Sequence, residues 1–283
     1  MKQADARFAG SIPETYDTHL GPLFFEPYAA DLAARLARLE LPTVQGSRVL
    51  EIAAGTGILT RRLRHALPPA VTLVATDLNE PMLEVARRRL GSAPGIEWRQ
   101  ADATALPFPD RAFDAVVCQF GLMFVPDKAL AAREAFRVLR PRRRFLFNVW
   151  GSLEENPLGR IAHEAVASFF PADPPGFYLV PFGLHDTAAI AAILADAGFE
   201  EIEVSTVGLR AEAPSAEHAA VGLVRGSPIL NAIEERGSAK PETIIAAVAA
   251  GLAGAYGKGP LRVPMQAHVI SALRPGREPT LSR

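Results

Sequence analysis

Two acidic residues, Asp77 and Asp102, each close an apolar, strand-like run, and two glycines, Gly55 and Gly57, follow a third such run in "VLEIAAGTG". Glycines at a strand-to-helix junction let the backbone approach a ligand with no Cβ in the way. The helix start beyond them offers unpaired N–H groups. Asp77 falls 20 residues after Gly57, where a strand-end carboxylate accepts both hydroxyls of a ribose. Asp102 sits in "RQADATALPFPD"; its carboxylate can accept the exocyclic amine of an adenine, while Ala103 offers a backbone N–H to a ring nitrogen. The set reads as an adenosine site. A nicotinamide dinucleotide fits less well, because the third glycine of G-x-G-x-x-G, counted from Gly55, is replaced by Thr60.

Other chemistries find less support. None of the six histidines has a metal-ligand spacing, so no metal is expected. His19, His163 and His185 lie in segments that could roof a site and are the candidates for a catalytic proton carrier, each weighed against a structural role. Cys118, the one cysteine, lies in "DAVVCQF" and reads as a small core residue. A net charge of −1 gives no support for binding to nucleic acid or a membrane surface. The first residues lack the apolar core of a signal peptide. The apolar stretch 244–256 is shorter than the ~20 residues a membrane span needs. A cytoplasmic protein without a membrane span is expected.

The elements that must position these residues follow from periodicity. Strands are expected over 47–53, 71–77, 95–101, 113–120 and 144–150, and helices over 57–66, 79–90 and 127–139. Such alternation predicts an α/β protein with a parallel, doubly wound sheet. Asn79 before Glu80-Pro81 predicts a capped helix start. Gly21-Pro22 splits the first forty residues, with an amphipathic helix after it. After Trp150, helices are expected near 156–170 and 186–198, Asp186 capping the second and Gly198 ending it. A strand follows over 199–209, then helical segments over 211–257, a last strand over 261–273 and a mobile tail.

The segments "VLEIAAGTG", "ATDLNEPML", "ADATALPFPDRAFDAVVCQFGLMFVPD" and "EAFRVLRPRRRFLFNVW" resemble, in order and spacing, the class I S-adenosylmethionine-dependent methyltransferases. The nearest likeness is to small-molecule enzymes of the ubiquinone/menaquinone-biosynthesis type. The resemblance covers residues 45–150 in its motifs, and 186–207 with the last strand in topology. It implies a Rossmann-like, seven-stranded sheet with an antiparallel last strand, and methyl transfer from S-adenosylmethionine with S-adenosylhomocysteine as product. It also implies residue roles. Glu51, Gly55 and Gly57 surround the methionine part of the cofactor, with Thr60 nearby; Asp77 holds the ribose; Leu78 and Met82 flank the adenine, whose edge Asp102 and Ala103 read. Gln119 faces the reacting methyl group, and Tyr16 resembles the aromatic that such enzymes fold over the cofactor.

Two departures stand out. Ala53 occupies the place of the first loop glycine in many members. "RPRRR" replaces a Pro-Gly-Gly-Arg turn, so Arg142 or Arg143 pays a steric penalty if its φ is positive. Methyl transfer needs positioning more than covalent help. A proline- and aromatic-rich stretch after the fifth strand favours an apolar or aromatic small-molecule acceptor, with Phe24, Tyr28, Met123, Phe177 and Phe182 as candidate contacts. The expected organisation is an N-terminal helical lid (1–44), a methyltransferase core (45–210 and 258–273, with 151–185 as lid and acceptor loop), a helical cap inserted between the last two strands (211–257) and a tail (274–283). The cap would shape the acceptor pocket or a homodimer contact. A protein or RNA methyltransferase and a non-catalytic S-adenosylmethionine-binding module are the alternatives.

Overall fold

The computed structural model describes residues 7–42 and 44–276. Seven strands, β1 (Arg48–Ile52), β2 (Thr72–Asp77), β3 (Ile96–Gln100), β4 (Phe113–Gln119), β5 (Leu139–Trp150), β6 (Glu200–Ala213) and β7 (Leu261–Leu273), form one sheet in the order 3-2-1-4-5-7-6. The first five run parallel, and β7 is antiparallel to both β5 and β6. The near-continuous apolar runs of β1, β2 and β4 are what a parallel sheet covered on both faces requires; Val49, Leu50, Leu73, Val74, Val116 and Val117 are all buried. Strand order reverses between β1 and β4, which opens a crevice at the carboxyl ends of the strands.

The helices are α1 (Ile12–Thr15), α2 (Glu26–Ala37), α3 (Ile58–Ala66), α4 (Glu80–Leu90), α5 (Lys128–Val138), α6 (Pro157–Ser168), α7 (Thr187–Asp196), α8 (Ala216–Arg225), α9 (Ile229–Arg236) and α10 (Pro241–Tyr256). The last three lie between β6 and β7, as the pattern predicts. Asp186 caps α7, accepting from the N–H groups of Ala188 and Ala189, and Gly198 stops it at φ 99°.

Four expectations are corrected. Gly21-Pro22 does not split the N-terminal region: a π-helical stretch, Tyr16–Phe25, carries the chain through Pro22 from α1 into α2. Proline clashes with the i−4 carbonyl of an α-turn; the wider π turn has i→i−5 bonding, seen where the Glu26 N–H donates to the Gly21 carbonyl. Asn79 precedes α4 but its side chain makes no capping bond there; its Oδ1 accepts from the Phe8 N–H. β5 begins at Leu139, not 144: Leu139 pairs with Phe113 and Arg144 with Ala115, and the register shifts between the two. The tail starts anchored: Arg274 is buried and donates to the carbonyls of Phe136, Arg137 and Leu139. Residues 1–6 of the lid and 277–283 of the tail lie outside the described residues.

Arg142 has φ 62°, the left-handed region foreseen for the arginine turn, and its N–H donates to the Arg274 carbonyl. Neighbouring arginines are paired rather than free. Arg140 bonds the buried Asp114 at 2.6 Å, and Arg144 bonds Glu201 at 2.6 Å.

Candidate active site

A cavity of about 1000 Å³ opens at the carboxyl ends of the strands. Its first half is built by β1, β2 and the loops that follow β1 and β3. Asp77, 7% exposed, is oriented by the backbone: its Oδ2 accepts from Gly55 N–H at 2.9 Å and its Oδ1 from Asn79 N–H at 2.8 Å. Burial raises its pKa, and those two N–H groups oppose the rise. Leu78, Met82, Asp102 and Ala103 line the same end. Leu78 is half exposed. Asp102 is itself held, its Oδ1 accepting from Thr104 N–H at 2.8 Å and Thr104 Oγ1 at 2.7 Å.

The two loop glycines have different tasks. Gly55, φ 57°, lines the cavity, and a Cβ there would meet only Met82 at 3.6 Å. Gly57, φ 83°, does not line it; a Cβ there would meet Leu90 at 2.9 Å and Ala86 at 3.1 Å. Gly57 therefore serves the close approach of α3 and α4, a correction to its expected place around the ligand. Ala53 takes φ 55° without being glycine. It rests against Gly121, where a Cβ would come within 2.3 Å of Ala53 Cβ.

Glu51 and Thr60 lie beneath the loop, both fully buried. Glu51 lines a recess of about 20 Å³ shared with Tyr16, Gly55 and Gln119, which also line the main cavity. Burial pushes its carboxyl up to about 8, with the Asp77 carboxylate adding to the rise. Glu51 Oε2 and Gln119 Oε1 are buried acceptors with no hydrogen-bond partner among the described residues. Gln119 Nε2 donates to the Phe25 carbonyl at 3.4 Å, tying the end of β4 to the end of the π stretch.

Over the crevice lies that π stretch. Tyr16 stacks on Phe25 with centroids 4.8 Å apart. The stretch interlocks with the cap, since Cβ atoms at Gly222 and Gly226 would stand 2.8 Å from His19 Cβ and 3.2 Å from Tyr16 Cα. Ion pairs from Asp17 to Arg89, and from the flanking Glu14 in α1 to Arg88 and Glu26 in α2 to Arg61, tie this N-terminal region to α4 and α3.

The second half of the cavity is aromatic. Of the residues named from the sequence, Phe24, Met123, Phe177 and Phe182 line it, joined by Phe25, Phe120, Phe124 and Trp150. Phe120 and Trp150 stack face to face at 3.9 Å. Tyr28 is not on this surface: fully buried, it stands edge-on behind both rings and donates toward the carbonyls of Val207 and Met265. It braces the wall.

None of the three candidate histidines lines the cavity. His19 pairs with His218, ring centroids 4.2 Å apart; His185 is exposed and bonds the Phe182 carbonyl; His163 packs edge-on toward Tyr178. Phe120, Trp150, Leu20, Leu223 and Ser227 were missed by sequence reasoning. Trp150 and Phe120, as the residues ending β5 and following β4, could have been found by the rule that located Gln119. Leu20, Leu223 and Ser227 carry no comparable signal. Among the described residues, no group of three or more His, Cys, Asp or Glu side chains could hold a metal, and no helix is long and apolar enough to cross a membrane.

S-adenosylmethionine presents hydrogen-bond donors (ribose hydroxyls, an adenine amino group and an ammonium), and the first half of the cavity is rich in acceptors. The orphaned Oε atoms of Glu51 and Gln119 and the backbone-braced Asp77 carboxylate fit that donor set.

Comparison with known proteins agrees. A family model described as a methyltransferase domain matches residues 49–142. The ubiquinone/menaquinone biosynthesis C-methyltransferase UbiE of Ectopseudomonas mendocina (strain ymp) is 37% identical over 178 residues, 58% of this chain and 70% of that protein. Among solved structures, YcgJ of Bacillus subtilis superposes with a TM-score of 0.56 at 19% identity, covering 88% of this chain and 99% of that one. A Haemonchus contortus phosphoethanolamine N-methyltransferase 2, bound to phosphomonomethylethanolamine and S-adenosylhomocysteine, gives 0.58 at 18% identity, covering 93% and 57%. These two share the fold. Sheet order, crevice and sequence relatives together define a class I methyltransferase that uses S-adenosylmethionine. Within that class, the chain belongs to the UbiE-like family.

Proposed function

We propose that the enzyme methylates a small, apolar, aromatic organic acceptor, with a ring carbon as the favoured site of attack. The observation that carries this reading is the wall of aromatic rings, Phe24, Phe25, Phe120, Trp150, Phe177 and Phe182, continuous in one cavity with the Asp77 end. Flat apolar ligands gain both burial and ring stacking on such a surface.

When bound, S-adenosylmethionine supplies an electrophilic methyl group that leaves its sulfur as a nucleophile attacks in line. The residues contribute placement. Asp77 accepts from the ribose hydroxyls, Leu78 and Met82 sandwich the adenine, and Asp102 with Ala103 reads its edge. Glu51 and Gln119 take donors at the methionine end, and Tyr16 with Phe25 closes over them. Gly57 and Thr60 support this shell from behind. The aromatic wall excludes water and holds the acceptor ring in attack geometry, where most of the rate arises.

Aspartates 77 and 102 belong to the cofactor end; the aromatic half, among the described residues, contains no His, Lys, Asp or Glu. A group of high pKa would find no base there to deprotonate it. The acceptor therefore brings its own nucleophile, as an electron-rich ring carbon does: that carbon takes the methyl group as the methyl–sulfur bond breaks, and its C–H proton then passes to water, which restores the ring. The name of the Ectopseudomonas relative, a C-methyltransferase, supports carbon over oxygen. The open cavity also counts against a module that only binds the cofactor.

The test is incubation with S-adenosylmethionine and a panel of phenols and hydroquinones, with products read by mass spectrometry and NMR. Carbon-bound methyl groups are expected. Methyl ethers alone would overturn the choice of carbon, and label entering only protein or RNA would overturn the small-molecule reading.

A further inference from the structure

One polar spot interrupts the aromatic half of the cavity. Tyr178, Leu223 and Ser227 all line it, and both hydroxyl-bearing residues are more than nine-tenths buried. The Tyr178 hydroxyl donates to the Leu223 carbonyl at 2.9 Å, and the Ser227 hydroxyl donates to the same carbonyl at 2.7 Å. Leu223 lies in the last turn of α8, where carbonyls lack intrahelical partners. A carbonyl has no proton to give, and each hydroxyl has one. Both protons are thus committed, and what the pair keeps is lone pairs. The carbonyl dipoles ending α8 add partial negative charge at the same place.

We infer that Tyr178 and Ser227 form a subsite for a hydrogen-bond donor on the acceptor, a hydroxyl or N–H borne by its ring system, and that they discriminate against rings carrying only acceptors at that position. A bare carbonyl oxygen brought there would meet a proton only if one hydroxyl gave up the Leu223 carbonyl, a bond that a phenolic O–H leaves intact. A phenolic O–H would complete the valence of one hydroxyl and push electron density into its own ring, which helps a carbon nucleophile. This inference rests on the small-molecule methyltransferase reading above. It concerns the end of α8, the turn after it that holds Ser227, and the 177–179 turn, all separate from the strand ends that form the cofactor half.

Equilibrium dialysis on the full-length enzyme saturated with S-adenosylhomocysteine tests it with two probes of nearly equal size, 2-naphthol and 2-fluoronaphthalene. Wild type is expected to bind 2-naphthol at least ~10-fold more tightly, the worth of one buried hydrogen bond. Tyr178→Phe, in which Ser227 still donates to the Leu223 carbonyl, is expected to lose most of the preference, with 2-fluoronaphthalene affinity within ~2-fold of wild type. Ser227→Ala, in which Tyr178 still occupies that carbonyl, is expected to lose part of it, so that either variant that folds tests the subsite.

No preference for 2-naphthol in wild type, or an unchanged preference in the variants, overturns the subsite. So does tighter binding of 1,4-naphthoquinone than of 2-naphthol. Calorimetry with S-adenosylhomocysteine on the same preparations separates the failures. Normal cofactor-product binding without a naphthol preference sinks only the subsite, whereas wild type that binds no S-adenosylhomocysteine sinks the methyltransferase reading as well.

Discussion

Phe182 packs so closely onto Gly159 that a Cβ added to the glycine would stand 2.4 Å from the ring's Cε2. Gly159 lies in the first turn of α6, and both residues line the aromatic half of the cavity. The missing Cβ sets how far the ring can retreat. Gly159→Ala should push Phe182 into the cavity and raise KM for the acceptor by roughly 10-fold, the scale of an overpacked contact, with S-adenosylhomocysteine affinity unchanged. Steady-state kinetics in both substrates, beside calorimetry, reads the difference; equal loss in both would mean that the helix, not the pocket, has shifted.

Asp77 is braced by the N–H groups of Gly55 and Asn79. Removing a carboxylate that accepts from a ligand costs about 1.5–3 kcal/mol. Asp77→Ala should therefore weaken S-adenosylhomocysteine by roughly 10- to 100-fold in calorimetry. Unchanged affinity would remove Asp77 from the ribose.

Burial lifts the Glu51 carboxyl to about 8, against an ordinary value near 4.3. The folded, ligand-free protein then holds this proton more tightly than the unfolded chain. The stabilisation is full below the unfolded value and is lost as pH rises through about 8. Asp77, also raised by burial, acts with the same sign. Thermal melts of the ligand-free enzyme should fall between pH 5 and 8, with a slope of at most about 1.4 kcal/mol per pH unit for each group. Glu51→Gln should flatten that fall, and an identical profile in the variant would refute the assignment.

Arg142 is exposed and holds φ 62°. A non-glycine residue in that region carries a cost of about 1–2 kcal/mol, and glycine returns part of it as unfolded-state entropy. Arg142→Gly should stabilise the protein by about 0.5–1 kcal/mol in urea melts, without changing S-adenosylhomocysteine affinity. Destabilisation would mean that the arginine side chain outweighs the strain.

His185 is exposed and off the cavity. Its replacement by glutamine should leave kcat within ~2-fold, as surface changes away from a site do. A large loss of kcat with intact folding would place it in the reaction after all.

Local rules sufficed where a residue's role depends on its place along a strand. Asp77 and Gln119 end β2 and β4, and a strand end in an open α/β sheet faces the crevice wherever the rest of the chain goes. The same rule located Asp102 just beyond β3 and the sheet itself, through alternation of apolar and amphipathic segments. It failed where a role depends on which face of a helix meets which neighbour. Tyr28, Gly57 and the three histidines all sit on or beside helices, and only packing decided that Tyr28 braces Trp150, Gly57 admits Ala86, and His19 turns to His218. Pro22 misled for a related reason: its clash belongs to the α-turn, and the π turn that relieves it is held by contacts with α8.

Amino-acid order thus determined the sheet, its crevice and the acceptors at its strand ends, because each is encoded within one strand-loop-helix unit. Tertiary structure alone decided the aromatic half of the cavity. That wall is assembled from the π stretch, the ends of β4 and β5, α6, the 177–182 segment and α8, whose Leu223 lies 203 residues (223 − 20) after Leu20. No local pattern can reveal that Tyr178 and Ser227 spend their protons on one carbonyl.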